Sequence, residues 1–161
     1  MALNNSFTLR QQEKILSITR LILHTFSYRN FVFPSVLLFL IYTKIFNERL
    51  YSLLRKKQLT AQQLIDEIEK ELPKNRSRND LGYFVFMQGN LLCLYQNYMG
   101  FDDMTQNLIV KENDSTEHLT VKSSNDPTLL HSIKSFQTNR YADTVKLDWF
   151  LNKIDLMEPF T

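Results

Sequence analysis

The order of apolar and polar residues predicts a protein built almost entirely from helices. Residues 31–46 are so uniformly apolar that a helix here is expected to be buried on nearly all sides. Pro34 fits the first turn of such a helix, where its missing N–H breaks no hydrogen bond. From Asn47 onward, charged residues alternate with leucines, as in a helix face that meets solvent. We therefore predict one helix over residues 33–56, with its first half inside the core and its second half at the edge.

Two amphipathic helices are each predicted to begin with a capping box. In this pattern a threonine accepts a backbone N–H and a glutamine three residues later reaches back. The first box begins at Thr8, ahead of apolar residues at helical spacing over residues 9–27. The second begins at Thr60 and opens a short helix over residues 60–72, which Pro73 ends.

Two further helices are predicted in the second half of the chain. Asp80 is expected to cap a helix that runs to Gly100, and Gly89 lies within its apolar part. Because glycine lowers helix propensity, its presence there predicts that a neighbouring helix passes close to it. The last helix covers the apolar residues of 145–157 and is ended by Pro159.

Residues 105–137 have a different composition, with long polar runs and apolar residues only in small groups. A loop longer than about 12–15 residues is unusual inside a compact domain, so we predict a flexible insertion. Within it, an exposed hairpin between 108–111 and 118–122 is a further expectation. Regular structure is expected to resume with a short helical turn at 139–143.

Composition favours one ordinary domain. The 161 residues are expected to form a single all-α domain, since domains commonly run about 100–150 residues. Nineteen basic and seventeen acidic residues give a net charge of +2, which is too balanced to indicate a nucleic-acid-binding protein. The single cysteine, Cys93, lies among leucines, so we predict a buried thiol and no internal disulfide.

Residues that carry enzyme chemistry do not occur in a recognisable pattern. The three histidines are far apart in sequence, and none has a second metal ligand at helical spacing. The sequence contains no glycine-rich phosphate loop, no nucleophile elbow and no zinc-protease helix motif. We therefore predict a protein that is not an enzyme and that holds neither a metal nor a cofactor.

Basic residues near the ends of two predicted helices form a candidate rim. The plain interpretation is a solvated surface, and the alternative is docking to an acidic partner surface or a phosphate. The rim consists of Arg49, Arg55, Lys56, Lys57, Lys74, Arg76 and Arg78.

The apolar stretch is too short to predict a membrane span. A span needs about 20 apolar residues, and Lys44 interrupts this one. The first residues also lack the basic and then apolar order of a signal peptide. We expect an intracellular protein of the cytoplasm or nucleus, and rank membrane association through residues 31–46 as the least favoured alternative.

Three stretches, together with the first helix at 9–27, carry a resemblance to a known family. Residues 34–46 and 91–103 are similar to its buried second helix and its third helix, and residues 138–155 to its Asn-Arg-Tyr-Ala run across helices four and five. In this order they resemble a cyclin box, the five-helix all-α domain that activates cyclin-dependent kinases, closest in style to single-box fungal cyclins. The fold implied is a five-helix bundle with one extra helix at 60–72 and the insertion described above.

The resemblance implies a regulatory protein that binds, and activates, a protein kinase. Its third and fifth helices would pack against the mobile regulatory helix of the kinase and hold it in the active state. In the family a lysine and a glutamate grip the kinase, and these positions fall on Asn97 and Asp155. Trp149 has a plain alternative as a core residue. The implied partner-binding residues are Asn97, Tyr98, Asp102, Trp149 and Asp155.

The alternative function is a helical adaptor or scaffold, a subunit that binds another protein without activating a kinase. Asn97 lacks the charge of the family's lysine, and Asp155 is one methylene shorter than its glutamate. The long insertion and the basic rim also fit an adaptor. Helical bacterial effector and secretion-chaperone domains share this composition. The pattern of apolar and polar residues does not distinguish this protein from such domains.

Overall fold

The protein forms an all-α bundle with one small hairpin. A computed structural model describes residues 8–26, 31–71, 78–101, 108–113 and 116–157, without the side chains of 78–80 and 143. A 3₁₀ turn at Ala142–Thr144 precedes the last helix. The elements are α1 (Leu9–His24), α2 (Pro34–Phe46), α3 (Glu48–Arg55), α4 (Ala61–Lys70), α5 (Arg78–Met99), β1 (Ile109–Asn113), β2 (Thr116–Leu119), α6 (Asp126–Thr138) and α7 (Leu147–Leu156).

Helix α2 lies in the middle of the bundle, as its apolar sequence predicted. It packs against α1, α3, α5 and α7. Six of its side chains are buried, and Phe39, Leu40 and Ile41 have no exposed surface. Burying a side chain of this size contributes about 1.5–3 kcal/mol, so this helix is a large part of the hydrophobic stabilisation.

The prediction of a single helix over residues 33–56 is wrong, because the helix is interrupted at Asn47. Its backbone is non-helical, with φ −139° and ψ 66°, so α2 ends and α3 begins at the same residue. The side-chain oxygen of Asn47 accepts the N–H of Leu50 at 3.0 Å, and its amide donates to Glu71 at 2.6 Å. Asparagine is among the best N-cap residues, because its side chain satisfies an otherwise unpaired donor.

Both predicted capping boxes are confirmed. Thr8 accepts from the backbone of Gln11 and the Gln11 side chain reaches back, and Thr60 and Gln63 do the same at the start of α4. The prediction that Asp80 caps the next helix is wrong, because α5 begins at Arg78 and includes Asp80 as its third residue.

The segment over 105–137 contains more regular structure than its polar composition suggested. The exposed hairpin is confirmed, with Ile109 paired to Leu119 across two antiparallel strands. Residues 126–138 form helix α6 rather than part of a flexible loop, and this helix packs against α5. Pro127 lies in the first turn of α6, where proline is tolerated, so it is compatible with a helix that begins at this point. The buried residues of α6 are Leu129, Ser132, Ile133 and Phe136.

The contact between α5 and α6 is close at Gly89, as the sequence predicted. A Cβ added there would lie 2.6 Å from the Cβ of Ser132. The Ser132 hydroxyl donates to the carbonyl of Phe86 at 2.9 Å, which holds this side chain against α5. Nearby in sequence, Cys93 is buried as predicted, and burial raises the pKa of its thiol.

Substituting the two glycines of α5 separates the effect of this close approach from helix propensity. We expect Gly89→Ala to destabilise the protein by about 1–3 kcal/mol, because the added methyl group overpacks the contact with Ser132. Gly82→Ala is the matched control, since a Cβ there meets nothing within 4 Å. The control should raise stability by about 0.5–1 kcal/mol through helix propensity. Urea denaturation followed by circular dichroism measures both, and equal effects of the two substitutions would contradict the contact.

Candidate partner-binding site

Two of the five predicted partner-binding residues lie in one cleft at an end of the bundle. Asn97 is exposed near the end of α5, and the Tyr98 hydroxyl donates to the carbonyl of Arg55 at 2.9 Å. The cleft has a volume of about 400 Å³. We call it the helix-end cleft, and its lining residues are Lys57, Asn97, Tyr98, Phe101, Val145, Lys146, Leu147 and Asp148.

One wall of the helix-end cleft is the turn that ends α3. The N–H of Gln58 donates to the carbonyl of Leu53 at 3.0 Å, and the N–H of Lys57 donates to that of Leu54 at 3.2 Å. This pair of bonds is the Schellman motif, which places its C′ residue in the left-handed region. Lys57 occupies that position with φ +57°, where glycine is the usual residue.

Contacts with α5 fix both the side chain of Lys57 and the turn that carries it. Its ammonium nitrogen lies 4.2 Å from the centre of the Tyr98 ring, a cation–π contact. The turn itself is fixed to α5 by Tyr95, whose buried hydroxyl donates to the carbonyl of Leu59 and accepts its N–H. Buried contacts therefore fix the turn that carries Lys57, and the Tyr98 ring is the contact of its charge.

The second wall is the turn that ends α5. It is also a Schellman motif, in which Phe101 donates to the carbonyl of Gln96 at 3.2 Å and Gly100 to that of Asn97 at 3.0 Å. Gly100 has φ +90°, which glycine adopts without strain. This turn presents Phe101 at the surface with 42% of its area exposed. The ring is an apolar contact beside the Lys57 charge.

The third wall is the start of α7. Lys146 is the N-cap residue, and its side chain makes no capping hydrogen bond. Asp148 lies in the first turn, where its negative charge is favourable to the helix dipole. The cleft thus combines the cations Lys57 and Lys146, the anion Asp148 and an exposed ring.

The carboxylate of Asp155, the residue matched to the kinase-gripping glutamate, bonds to side chains of α2 and α3. Its carboxylate accepts the Tyr51 hydroxyl at 2.8 Å and forms ion pairs with Arg55 at 3.1 Å and Lys44 at 3.5 Å. Its side chain is one-third exposed. These bonds connect α7 to α2 and α3, so the carboxylate is already used in holding the bundle together.

Trp149 also lies away from the cleft lining. Its ring centre is 4.3 Å from that of Phe26 and 5.5 Å from that of Phe150, and it is half-buried. These contacts fit its alternative as a packing residue between α7 and the end of α1. Asp102, the fifth predicted residue, lies outside the residues that the structure describes.

The basic rim divides into paired and solvent-facing residues. Arg49 pairs with Glu67, and Arg55 pairs with Asp155 and also donates to Asn152. Lysine and arginine neighbours hold the pKa of Glu67 below its usual range, with the Lys70 hydrogen bond as the largest cause. Lys56 and Lys57 are exposed next to the cleft. The other three members of the rim have no described side chain.

Neither a metal-binding cluster nor a membrane-spanning helix is found in the described part of the chain. No group of three histidine, cysteine, aspartate or glutamate side chains could hold a metal ion there. None of the helices in the described ranges is long and apolar enough to cross a membrane. Comparison with protein-family models, with curated proteins and with solved structures finds no match to this chain.

A conservative substitution tests the structural role of Asp155. We expect Asp155→Asn to destabilise the protein by about 1–2 kcal/mol, because it removes the negative charge between Arg55 and Lys44 in a partly solvated site. Asp66→Asn is the control, since Asp66 is exposed and accepts from Gln62 on its own helix. It should change stability by less than about 0.5 kcal/mol. If urea denaturation gives the same midpoint for both variants, Asp155 does not hold the helices together.

Proposed function

We propose that this protein is a non-catalytic interaction protein that binds a partner protein through the helix-end cleft. The partner contributes a segment with an acidic group for Lys57 and an apolar group for Phe101. The cleft then acts as a docking site, and the bundle around it acts as a scaffold. This is the adaptor function that the sequence left as its alternative.

The observation that carries the proposal is the strained position of Lys57. A side chain in the left-handed region costs roughly 1 kcal/mol relative to glycine, and strained backbone often occurs at functional sites. Glycine would form the same turn at lower cost, yet this position holds a lysine whose charge lies over Tyr98. A role in binding accounts for a residue that local stability does not favour.

The resemblance to cyclins adds a protein kinase as a candidate partner. Asn97 supports this candidate, because it lies exposed in the cleft at the position of the family's lysine. Asp155 weighs against an unchanged cyclin-type grip, since its carboxylate already accepts from three donors within the bundle. Binding without activation therefore fits the side chains better than activation does.

Removing the Lys57 charge tests the proposed docking site. We expect Lys57→Gly to weaken partner binding by about 10- to 100-fold, since a hydrogen-bonded charge contributes about 1.5–3 kcal/mol. Stability should be retained or rise by up to about 1 kcal/mol, because glycine is favoured at φ +57°. The measurement is quantitative affinity purification from the native cell, with mass spectrometry of the co-purifying proteins.

Lys122→Ala is the control for this experiment, since Lys122 is an exposed lysine that is not in the cleft lining. Asn97→Ala should reduce the same co-purifying protein as Lys57→Gly does, whereas the control should leave its amount unchanged. If both cleft variants retain every co-purifying protein at the wild-type level, the cleft is not the docking site.

Kinase activation is tested separately, with turnover as the readout. If a kinase subunit co-purifies, we expect the protein to change its turnover little, and Asn97→Lys to strengthen binding by restoring a charge at the matched position. The control is Lys122→Ala with the same kinase. A large increase in turnover on adding the unmodified protein would support the cyclin function and contradict the adaptor function.

A further inference from the structure

Helix α1 carries a second apolar surface that faces away from the bundle. Its inward face includes Ile22, which is fully buried. On the outside, three leucines recur every seven residues, and they expose 72%, 65% and 45% of their surface. Leucines at this spacing lie close to one line along a helix, as does one of the two apolar positions in each heptad of a coiled coil. We call this line the leucine stripe, and it consists of Leu9, Leu16 and Leu23.

The surface of the stripe contains an open, shallow depression. A depression of about 460 Å³ lies on α1, lined by Leu16, Thr19, Arg20, Leu23 and His24. The first four of these stand at positions i, i+3, i+4 and i+7. Four residues with that spacing form the hole that receives one side chain of a facing helix in knobs-into-holes packing. The stripe thus supplies both leucine knobs and a hole of the right kind.

The charges beside the stripe select the direction of a facing helix. At about 100° per residue, Glu13 and Arg20 lie about 60° and 40° from Leu16 on the same side. Gln12 and Thr19 lie on the other side. The acidic residue is in the N-terminal half of α1 and the basic residue is in the C-terminal half.

A second copy of the chain fits this arrangement in an antiparallel orientation. A two-fold axis perpendicular to α1, near the middle of the stripe, brings the charged sides of both helices together. Glu13 of each copy is then nearest to Arg20 of the other, which gives two equivalent ion pairs. In a parallel pair the charged side would face Gln12 and Thr19, and no ion pair would form.

We infer that the leucine stripe of α1 forms an antiparallel homodimer, with Glu13 of each protomer beside Arg20 of its partner. The 16 residues of α1 span about 24 Å, so the interface is short. Short interfaces of this kind are weak and transient. The dimer therefore forms in the micromolar range and leaves the helix-end cleft, which is on other elements, open to a different protein.

Sedimentation equilibrium of the full chain, across the micromolar concentration range, measures the dimer directly. Leu16→Glu should abolish it, because a carboxylate in the seam loses its hydration. This residue is mostly exposed, so the far-ultraviolet circular dichroism of the monomer should be unchanged. A wild-type chain that remains monomeric at every concentration, or a Leu16→Glu variant that still dimerises, would overturn the inference.

Charge reversal tests the antiparallel direction. Glu13→Arg and Arg20→Glu should each weaken the dimer by about tenfold, because each replaces two ion pairs with like-charge contacts. The double variant should regain wild-type affinity, since it restores both pairs with their signs exchanged. Lys14→Glu is the matched control for Arg20→Glu: it makes the same charge change about 160° from the stripe and should have no effect.

Two results would overturn the arrangement even if the stripe binds something. Single reversals without effect, or a double variant as weak as the single ones, would exclude the antiparallel pairing. The wild-type chain could instead stay monomeric while the Leu16→Glu variant loses a protein that co-purifies with the wild type. This result would show that a different protein covers the stripe. Retained cleft binding in Leu16→Glu keeps this result separate from the function proposed for the cleft.

Discussion

The burial of the apolar helix α2 determines how the other helices are arranged, although Pro34, Ser35 and Leu38 on α2 stay exposed. A helix without a polar stripe must be surrounded, and α1, α3, α5 and α7 surround it. The backbone changes direction directly after α2, because Asn47 both ends α2 and caps α3. Its amide also donates to Glu71, which in turn accepts the Tyr42 hydroxyl at 2.8 Å. The break is therefore tied to the end of α4, and it directs α3 toward the helix-end cleft.

The features that could be predicted from the sequence are those determined by neighbouring residues. The buried stretch, the two capping boxes and the hairpin each depend on patterns within a few positions, and all are confirmed. Asn47 and α6 were missed for the opposite reason. Asparagine inside an apolar run, and proline after a polar run, are each compatible with a loop, a helix start or a helix interior. The structure shows both the local caps, formed by Asn47 and Asn125, and the tertiary contacts, of Asn47 to Glu71 and of α6 to α5, that select the observed outcomes.

The candidate site was predicted only in part, because its residues come from distant parts of the chain. Asn97 and Tyr98 do lie in one cleft, but Lys57 was predicted only as part of the basic rim, and Phe101 was not among the predicted site residues. No local signal reveals that Lys57 adopts a left-handed conformation, since the sequence has no glycine there. The bonds of Asp155 to Tyr51 and Arg55 cross about a hundred residues of sequence. A resemblance can match its position to a glutamate of another family, but it does not show which partners the carboxylate finds.

The proposed function requires that the helix-end cleft, rather than another face of the bundle, receives the partner. Hydrogen–deuterium exchange of the protein, alone and with its co-purified partner, tests this claim most directly because it reads every backbone amide without substitutions. We expect slower exchange on binding in residues 57–60 and 96–101 and at the start of α7. Slower exchange confined to α1 or to the hairpin, with the cleft unchanged, would contradict it.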